Sequence, residues 1–173
     1  MKRNITIITT ALLLVLIPLS IYIALCFIAG LGGLTNEVSR FSKYLITEFF
    51  TPKREVDGIS LSLFLIAYSA LIACLFVYVN SLRLTLKDIA KKGAFEDNNA
   101  NKLRASGRGL VRFAWSKYLL FSLFGPIAVW DIGVLFYQLL PFLALYTIGK
   151  FILVIADMTQ RGEMLLEETE LTI

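Results

Sequence analysis

Residues 59–82 read "ISLSLFLIAYSALIACLFVYVNSL", a stretch without a charged side chain. An α-helix needs about 20 predominantly apolar residues to cross the hydrocarbon core of a bilayer, so this stretch is long enough to span a membrane. Backbone groups inside lipid find no water to bind, and a helix satisfies them within the segment. The stretch therefore predicts a transmembrane helix.

Three further apolar runs lie on either side of it, at about residues 5–30, 110–131 and 134–157. The whole chain is 57% hydrophobic and 17% charged, whereas soluble domains are usually about 45–50% apolar and about 25% charged. The first run is longer than the roughly 7–15 apolar residues of a signal-peptide core, so we expect a span there and not a cleaved leader. The sequence predicts an all-α integral membrane protein with four transmembrane helices, forming a single domain over 1–173.

The distribution of charge predicts the orientation of these spans. The N-terminus, the loop 83–109 and the tail 158–173 fall on one side, and the first two carry an excess of lysine and arginine. The loop on the other side, 31–58, has its basic residues offset by an equal number of acidic ones. Because lysine and arginine accumulate on the cytoplasmic side of membrane proteins, both termini and the loop 83–109 are predicted to be cytoplasmic.

The outer loop contains a predicted amphipathic helix over residues 35–50. Val38, Phe41, Leu45 and Phe49 recur at steps of three and four, which places them on one helical face. This extracytoplasmic helix either packs on the outer ends of the spans or contributes to a ligand-sensing surface.

The cytoplasmic loop is predicted to be helical, with the second span continuing to Gly93 and a new helix starting at Glu96 or Asp97. Its basic residues can bind anionic lipid headgroups, at about 1 kcal/mol each; direct binding of nucleic acid is not expected. The tail is acidic, and it either docks on the loop or ends as a solvated helix. The candidate partner surface consists of loop and tail residues: Phe95, Asn98, Lys102, Leu103, Arg104, Glu167, Glu168, Glu170 and Leu171.

Lys117, Lys150 and Asp157 lie within or beside the apolar runs and form a candidate intramembrane polar site. At about 1.5 Å per residue, both lysines are expected ~10 Å below the inner surface, where a charge is costly and indicates function. Two interpretations stay open: lysines that snorkel to the interface, or a polar pocket or lipid-phosphate site. Asp131, near the outer end, is expected to be solvated.

The sequence lacks the usual residues of catalysis. It has no histidine, the commonest general acid or base and the commonest metal ligand. Its cysteines, Cys26 and Cys74, lack the Cys-x-x-Cys spacing of metal or redox sites and are interpreted as small buried hydrophobic residues. No catalytic, cofactor-binding or metal site is predicted, and we do not expect an enzyme.

Two stretches carry a family resemblance: "KKGAFEDNNANKLRASGRG" (91–109) and the terminal "RGEMLLEETELTI" (161–173). Together with four predicted spans, they resemble the bacterial membrane family catalogued as domain of unknown function 2975. The chain departs from that pattern mildly, with Glu96 in place of a serine and with Thr169 and Glu170 in the tail. The resemblance implies an uncharacterised four-helix protein of the bacterial cytoplasmic (inner) membrane, often encoded beside a small helix-turn-helix regulator.

These observations favour a non-enzymatic regulatory or sensory partner of a cytoplasmic protein, such as that transcription regulator. The first alternative is a small transporter or channel subunit for an anionic solute or lipid. The second is an immunity-type membrane protein that blocks an envelope toxin. We also expect contact with anionic lipid headgroups on the cytoplasmic face, and homo-oligomers are a further expectation.

Overall fold

A computed structural model describes residues 2–34, 47, 49–50, 57–92 and 99–170 of the chain. These residues are helical or lie in short connections, and no strand occurs among them. The helices are α1 (Lys2–Leu34), α2 (Gly58–Lys92), α3 (Asn99–Phe124), α4 (Val134–Tyr137) and α5 (Leu139–Glu170). A π-helical segment, Gly125–Val129, follows α3 directly. The predicted all-α fold is confirmed for this part of the chain.

Among the described residues, three helical segments are long and apolar enough to cross a membrane: Asn4–Gly32, Gly58–Lys91 and Val134–Gly162. They coincide with three of the predicted runs. The predicted run 110–131 is not among them, because α3 ends at Phe124 and carries Arg108, Arg112 and Lys117. The chain thus has three clear candidates for membrane helices and one helix with more charge.

Large apolar side chains cover the outside of these helices. Leu14 and Ile28 on α1, Leu63 on α2, and Leu140 and Phe151 on α5 are all exposed. Soluble monomers rarely expose contiguous apolar patches larger than a few hundred Å². This surface fits lipid, which indicates a membrane protein.

The main helix contacts follow chain order: α1 packs on α2, α2 on α3, and α3 on α5. α1 and α2 are antiparallel, since Gly30 late in α1 faces Ser62 early in α2, while Thr6 and Lys87 line one cleft at the other ends. The start of α1 therefore lies with the end of α2, and contacts described below place the start of α3 and the end of α5 beside them. We call this region, residues 2–10, 83–92, 99–108 and 157–170, the polar end.

The opposite end of the molecule has an aromatic core. Phe121 of α3 is fully buried and lies 5.3 Å, between ring centroids, from both Phe64 and Tyr68 of α2. Phe49 and Phe50, in the segment between α1 and α2, add rings 5.6 and 5.5 Å from Phe121. Most of the predicted amphipathic helix 35–50 lies outside the described residues, but its last two positions pack on the spans.

The connection between α3 and α5 is a tight turn. Gly125 O accepts hydrogen bonds from the backbone N–H groups of Trp130 and Asp131, and Trp130 has a left-handed backbone with φ 58°. Asp131 Oδ1 accepts a hydrogen bond from Gly133 N at 3.0 Å. Asp131 is 6% exposed, so the expectation that it is solvated is wrong: its carboxylate binds the turn.

Candidate functional site

Arg104 on α3 joins two helices at the polar end. Its Nη2 lies 2.5 Å from Asp157 Oδ1 and 2.6 Å from Gln160 Oε1, both on α5. Asp157 and Gln160 are three positions apart and so share one helix face, and a planar guanidinium can donate to both. The Arg104 side chain is 24% exposed and that of Asp157 59%, so this contact lies at the edge of the packed helices.

Two polar contacts join α3 to α2 at the same end. Lys102 Nζ lies 3.4 Å from Asp88 Oδ2, and Ser106 Oγ donates to Ser81 Oγ at 3.3 Å. Ser106 itself is buried, and so are several neighbouring residues of the two helices: Thr85, Asn99, Ala100 and Leu103. The helices α2, α3 and α5 therefore continue past their apolar parts as one packed polar extension.

Glycines on α3 and α5 allow this close packing. A Cβ at Gly107 would lie 3.1 Å from Gly149 O, and a Cβ at Gly149 would lie 3.2 Å from Gly107 O. On the other side of α3, the ring of Tyr78 occupies the space of a Cβ at Gly109. Glycine-mediated close approach is a usual way for membrane helices to associate. The close crossing of α3 and α5 at Gly107 and Gly149 sets the register that brings Arg104 opposite Asp157.

The three residues of the predicted intramembrane site do not come together. Lys150 follows Gly149, which packs against Val111; Lys117 lies six positions beyond Val111, or ~9 Å further from the polar end. Lys150 is exposed, with its Nζ 5.5 Å from the Tyr146 ring. Lys117 is half-buried, with its Nζ 5.6 Å from the Phe121 ring. Asp157 binds Arg104 and so belongs to the polar end.

The comparison with known families gives one match. A family model described as "Protein of unknown function (DUF2975)" matches residues 10–173. The chain belongs to the DUF2975 family. No curated protein and no solved structure matches it. The family resemblance predicted from the stretches 91–109 and 161–173 is thus confirmed, and the match to the DUF2975 model covers essentially the whole chain.

The predicted partner surface of this DUF2975 protein is described in part. Lys102 and Glu168 are exposed and Arg104 is half-buried, whereas Leu103 is 2% exposed and packs inside the polar extension. A partner therefore cannot reach Leu103 in this conformation. The remaining positions lie outside the described residues or have side chains that do: Phe95, Asn98, Glu167, Glu170 and Leu171.

One further feature of the DUF2975 chain was not predicted as a site. A cleft of about 370 Å³ lies between α1 and α2 at the polar end; we call it the α1–α2 cleft. Its polar lining consists of Thr6, Thr9, Thr10, Arg83, Lys87 and Lys91. From the sequence, the basic residues of the loop predicted the orientation and a general contact with anionic lipid headgroups. The spacing of four between Arg83, Lys87 and Lys91 was the signal that they share one helix face. Among the described residues, no group of cysteine and carboxylate side chains could hold a metal ion.

Proposed function

We propose that this DUF2975 protein is a four-span bacterial inner-membrane protein that holds a cytoplasmic protein partner and has no catalytic activity of its own. The excess of lysine and arginine in the N-terminus and the loop 83–109 supports a cytoplasmic polar end. The fourth span is α3 with its π-helical segment, whose lysine and arginine residues face packed helices or lie near the inner interface.

The packed polar extension is the observation that carries this proposal. α5 continues past Asp157 to Glu170, which adds ~20 Å at about 1.5 Å per residue. Anchoring in lipid needs only basic side chains at the helix ends. Anchoring does not require that α2, α3 and α5 be joined beyond the apolar region, as they are here by the Lys102–Asp88 and Arg104–Asp157 contacts. Such an extension supports a docking platform for a protein such as a small helix-turn-helix regulator.

The platform has an exposed stripe along α3. Asn101, Ala105, Arg108 and Arg112 are all exposed, and their spacing of four, three and four places them on one face. Neither arginine forms an ion pair with another described residue. A partner with an acidic surface would complement this stripe, and exposed charges would contribute mainly to its rate of association and its specificity.

Photo-cross-linking in living cells tests the docking proposal. A photoreactive residue at Asn101 or Ala105 should yield an adduct with a cytoplasmic protein, identified by mass spectrometry. Ile127 is exposed at the opposite end, and the same probe there should not yield that adduct. Identical adducts at all three positions, or none at Asn101 and Ala105, would contradict the proposal.

Reporter fusions test the orientation separately. A fusion after Thr51 should report the outer side of the membrane, and fusions after Asn99 or Ile173 should report the cytoplasm. A cytoplasmic signal after Thr51 would refute the four-span arrangement.

Lys117 is the observation that favours a second function, transport of an anionic solute. It is a half-buried cation on α3, and a charge within a span indicates a solute path by default. Chloride or phosphate flux into vesicles containing the purified protein would decide this. Flux that is abolished by Lys117→Gln but unchanged by Lys150→Gln would favour transport over docking.

A further inference from the structure

The α1–α2 cleft combines three cations with hydroxyl groups. Arg83, Lys87 and Lys91 follow one another at intervals of four along α2, so they lie on one helix face, and that face lines the cleft. Thr9 Oγ1 and Thr10 Oγ1 each donate to Thr6 O at 2.9 Å on the facing helix. A rotated hydroxyl can donate to an anion instead.

The positive charge of the cleft is not neutralised by the nearest acidic residue of α2. Asp88 faces α3, where its carboxylate pairs with Lys102. Arg83 Nε is buried and has no hydrogen-bond partner among the described residues. Buried donors in proteins nearly always have a partner, and a guanidinium matches the oxygens of a phosphate group by its planar arrangement of N–H donors.

The height of the cleft fits the headgroup layer of a bilayer. The charge-free run 59–82 of α2 ends at Leu82, so Arg83 lies ~1.5 Å and Lys87 ~7.5 Å beyond it. The interfacial region of a bilayer is about 5–8 Å thick on each side. We propose that the α1–α2 cleft is a specific binding site for the phosphate group of an anionic phospholipid. This proposal requires that α1 and α2 cross the membrane, and it does not depend on the docking of a protein partner.

Lipid titration of the purified full chain tests this site. The protein in neutral detergent micelles is titrated with short-chain phosphatidylglycerol, and binding is measured by the rise in its thermal unfolding midpoint. Phosphatidylcholine and inorganic phosphate are titrated in parallel, the first as a lipid without net charge and the second as a phosphate without a lipid. We expect saturable stabilisation by phosphatidylglycerol alone.

Three substitutions that each remove one charge locate the site. Arg83→Gln should weaken the apparent Kd about tenfold or more, because a buried charge-assisted contact is lost. Lys87→Gln should weaken it about fivefold, the equivalent of ~1 kcal/mol for one basic residue at a lipid surface. Arg108→Gln is the matched control: it is exposed on α3, away from the cleft, and should change the Kd less than twofold.

Three results would overturn the proposal. Equal weakening by all three substitutions would indicate general attraction of anionic lipid to a basic surface. Saturation by inorganic phosphate in the same concentration range would assign the cleft to a water-soluble phosphate. Equal effects of phosphatidylglycerol and phosphatidylcholine would exclude an anion site. If Arg83→Gln does not fold, the Kd values of Lys87→Gln and Arg108→Gln are compared instead, and equal values overturn the proposal. None of these outcomes affects the cross-linking at Asn101, which tests the docking of a protein partner separately.

Discussion

Replacing Gly149 by alanine should loosen the crossing of α3 and α5. A Cβ there would lie 2.8 Å from Val111 Cγ2, 3.1 Å from Val111 N and 3.2 Å from Gly107 O, inside the 3.4 Å at which ordinary contact begins. Two of these three atoms belong to the backbone, so no side-chain rotation relieves the overlap. The helices must move apart by a few tenths of an ångström, and the Arg104–Asp157 contact must lengthen.

Overpacking of this kind costs roughly 1–3 kcal/mol. Alanine is a better helix former than glycine by about 1 kcal/mol, which offsets part of that cost. We expect the free energy of unfolding to fall by roughly 1 kcal/mol, or ~5-fold in the ratio of folded to unfolded protein. Gly32→Ala is the matched control, because no atom of the described residues lies within 4 Å of a Cβ at Gly32. This substitution should be neutral or slightly stabilising.

The assay is unfolding in mixed micelles with an increasing fraction of denaturing detergent. Trp115 and Trp130 lie on α3 and at the turn that follows it, so tryptophan fluorescence reports this part of the fold. If Gly149→Ala proves as stable as the parent chain, or gains stability as Gly32→Ala does, the close crossing of α3 and α5 is refuted.

Three further outcomes are expected. A double-mutant cycle of Arg104→Ala and Asp157→Ala should give a coupling of about 0.5–1 kcal/mol that weakens in high salt, since Asp157 is largely exposed; zero coupling at low salt would contradict the bridge. Ser81→Cys with Ser106→Cys, in a background without other cysteines, should form an intramolecular disulfide on oxidation, because the two Oγ atoms are 3.3 Å apart; unchanged gel mobility would argue against this register. Phe121→Ala should lower the free energy of unfolding, measured by chemical denaturation, by about 3 kcal/mol. Leu123→Ala, at an exposed position of the same helix, should lower it by under ~0.5 kcal/mol, and similar losses for the two variants would refute the aromatic core.

The membrane helices could be predicted because lipid imposes a simple rule on length and polarity. The charge-free run 59–82 lies within α2, and 5–30 lies within α1. The rule is less decisive for 110–131, where Arg112 and Lys117 interrupt the apolar pattern. Local sequence also indicated that α2 continues past the bilayer, and the structure describes it as helix to Lys92.

The site could not be predicted in the same way, because it depends on helix register. Arg104 and Asp157 are 53 positions apart, and the sequence contains nothing local that pairs them. Their contact follows from the crossing at Gly107 and Gly149, which also places Lys117 and Lys150 at different heights. The burial of Asp131 depends likewise on a turn whose backbone hydrogen bonds are invisible in a hydropathy pattern.

In the four-span arrangement proposed above, biosynthesis of this chain is expected to depend on the turn that follows α3. A lysine or arginine near the centre of a span raises the cost of insertion by about 2.5–3.5 kcal/mol, and α3 carries Lys117 as well as the arginines at its start. A helix with these charges enters lipid poorly alone. The strongly apolar α5 can pack against α3 as soon as α5 emerges from the ribosome. The translocon would then release the two as a helical hairpin, so a nascent chain that ends before Leu139 should leave α3 outside the bilayer.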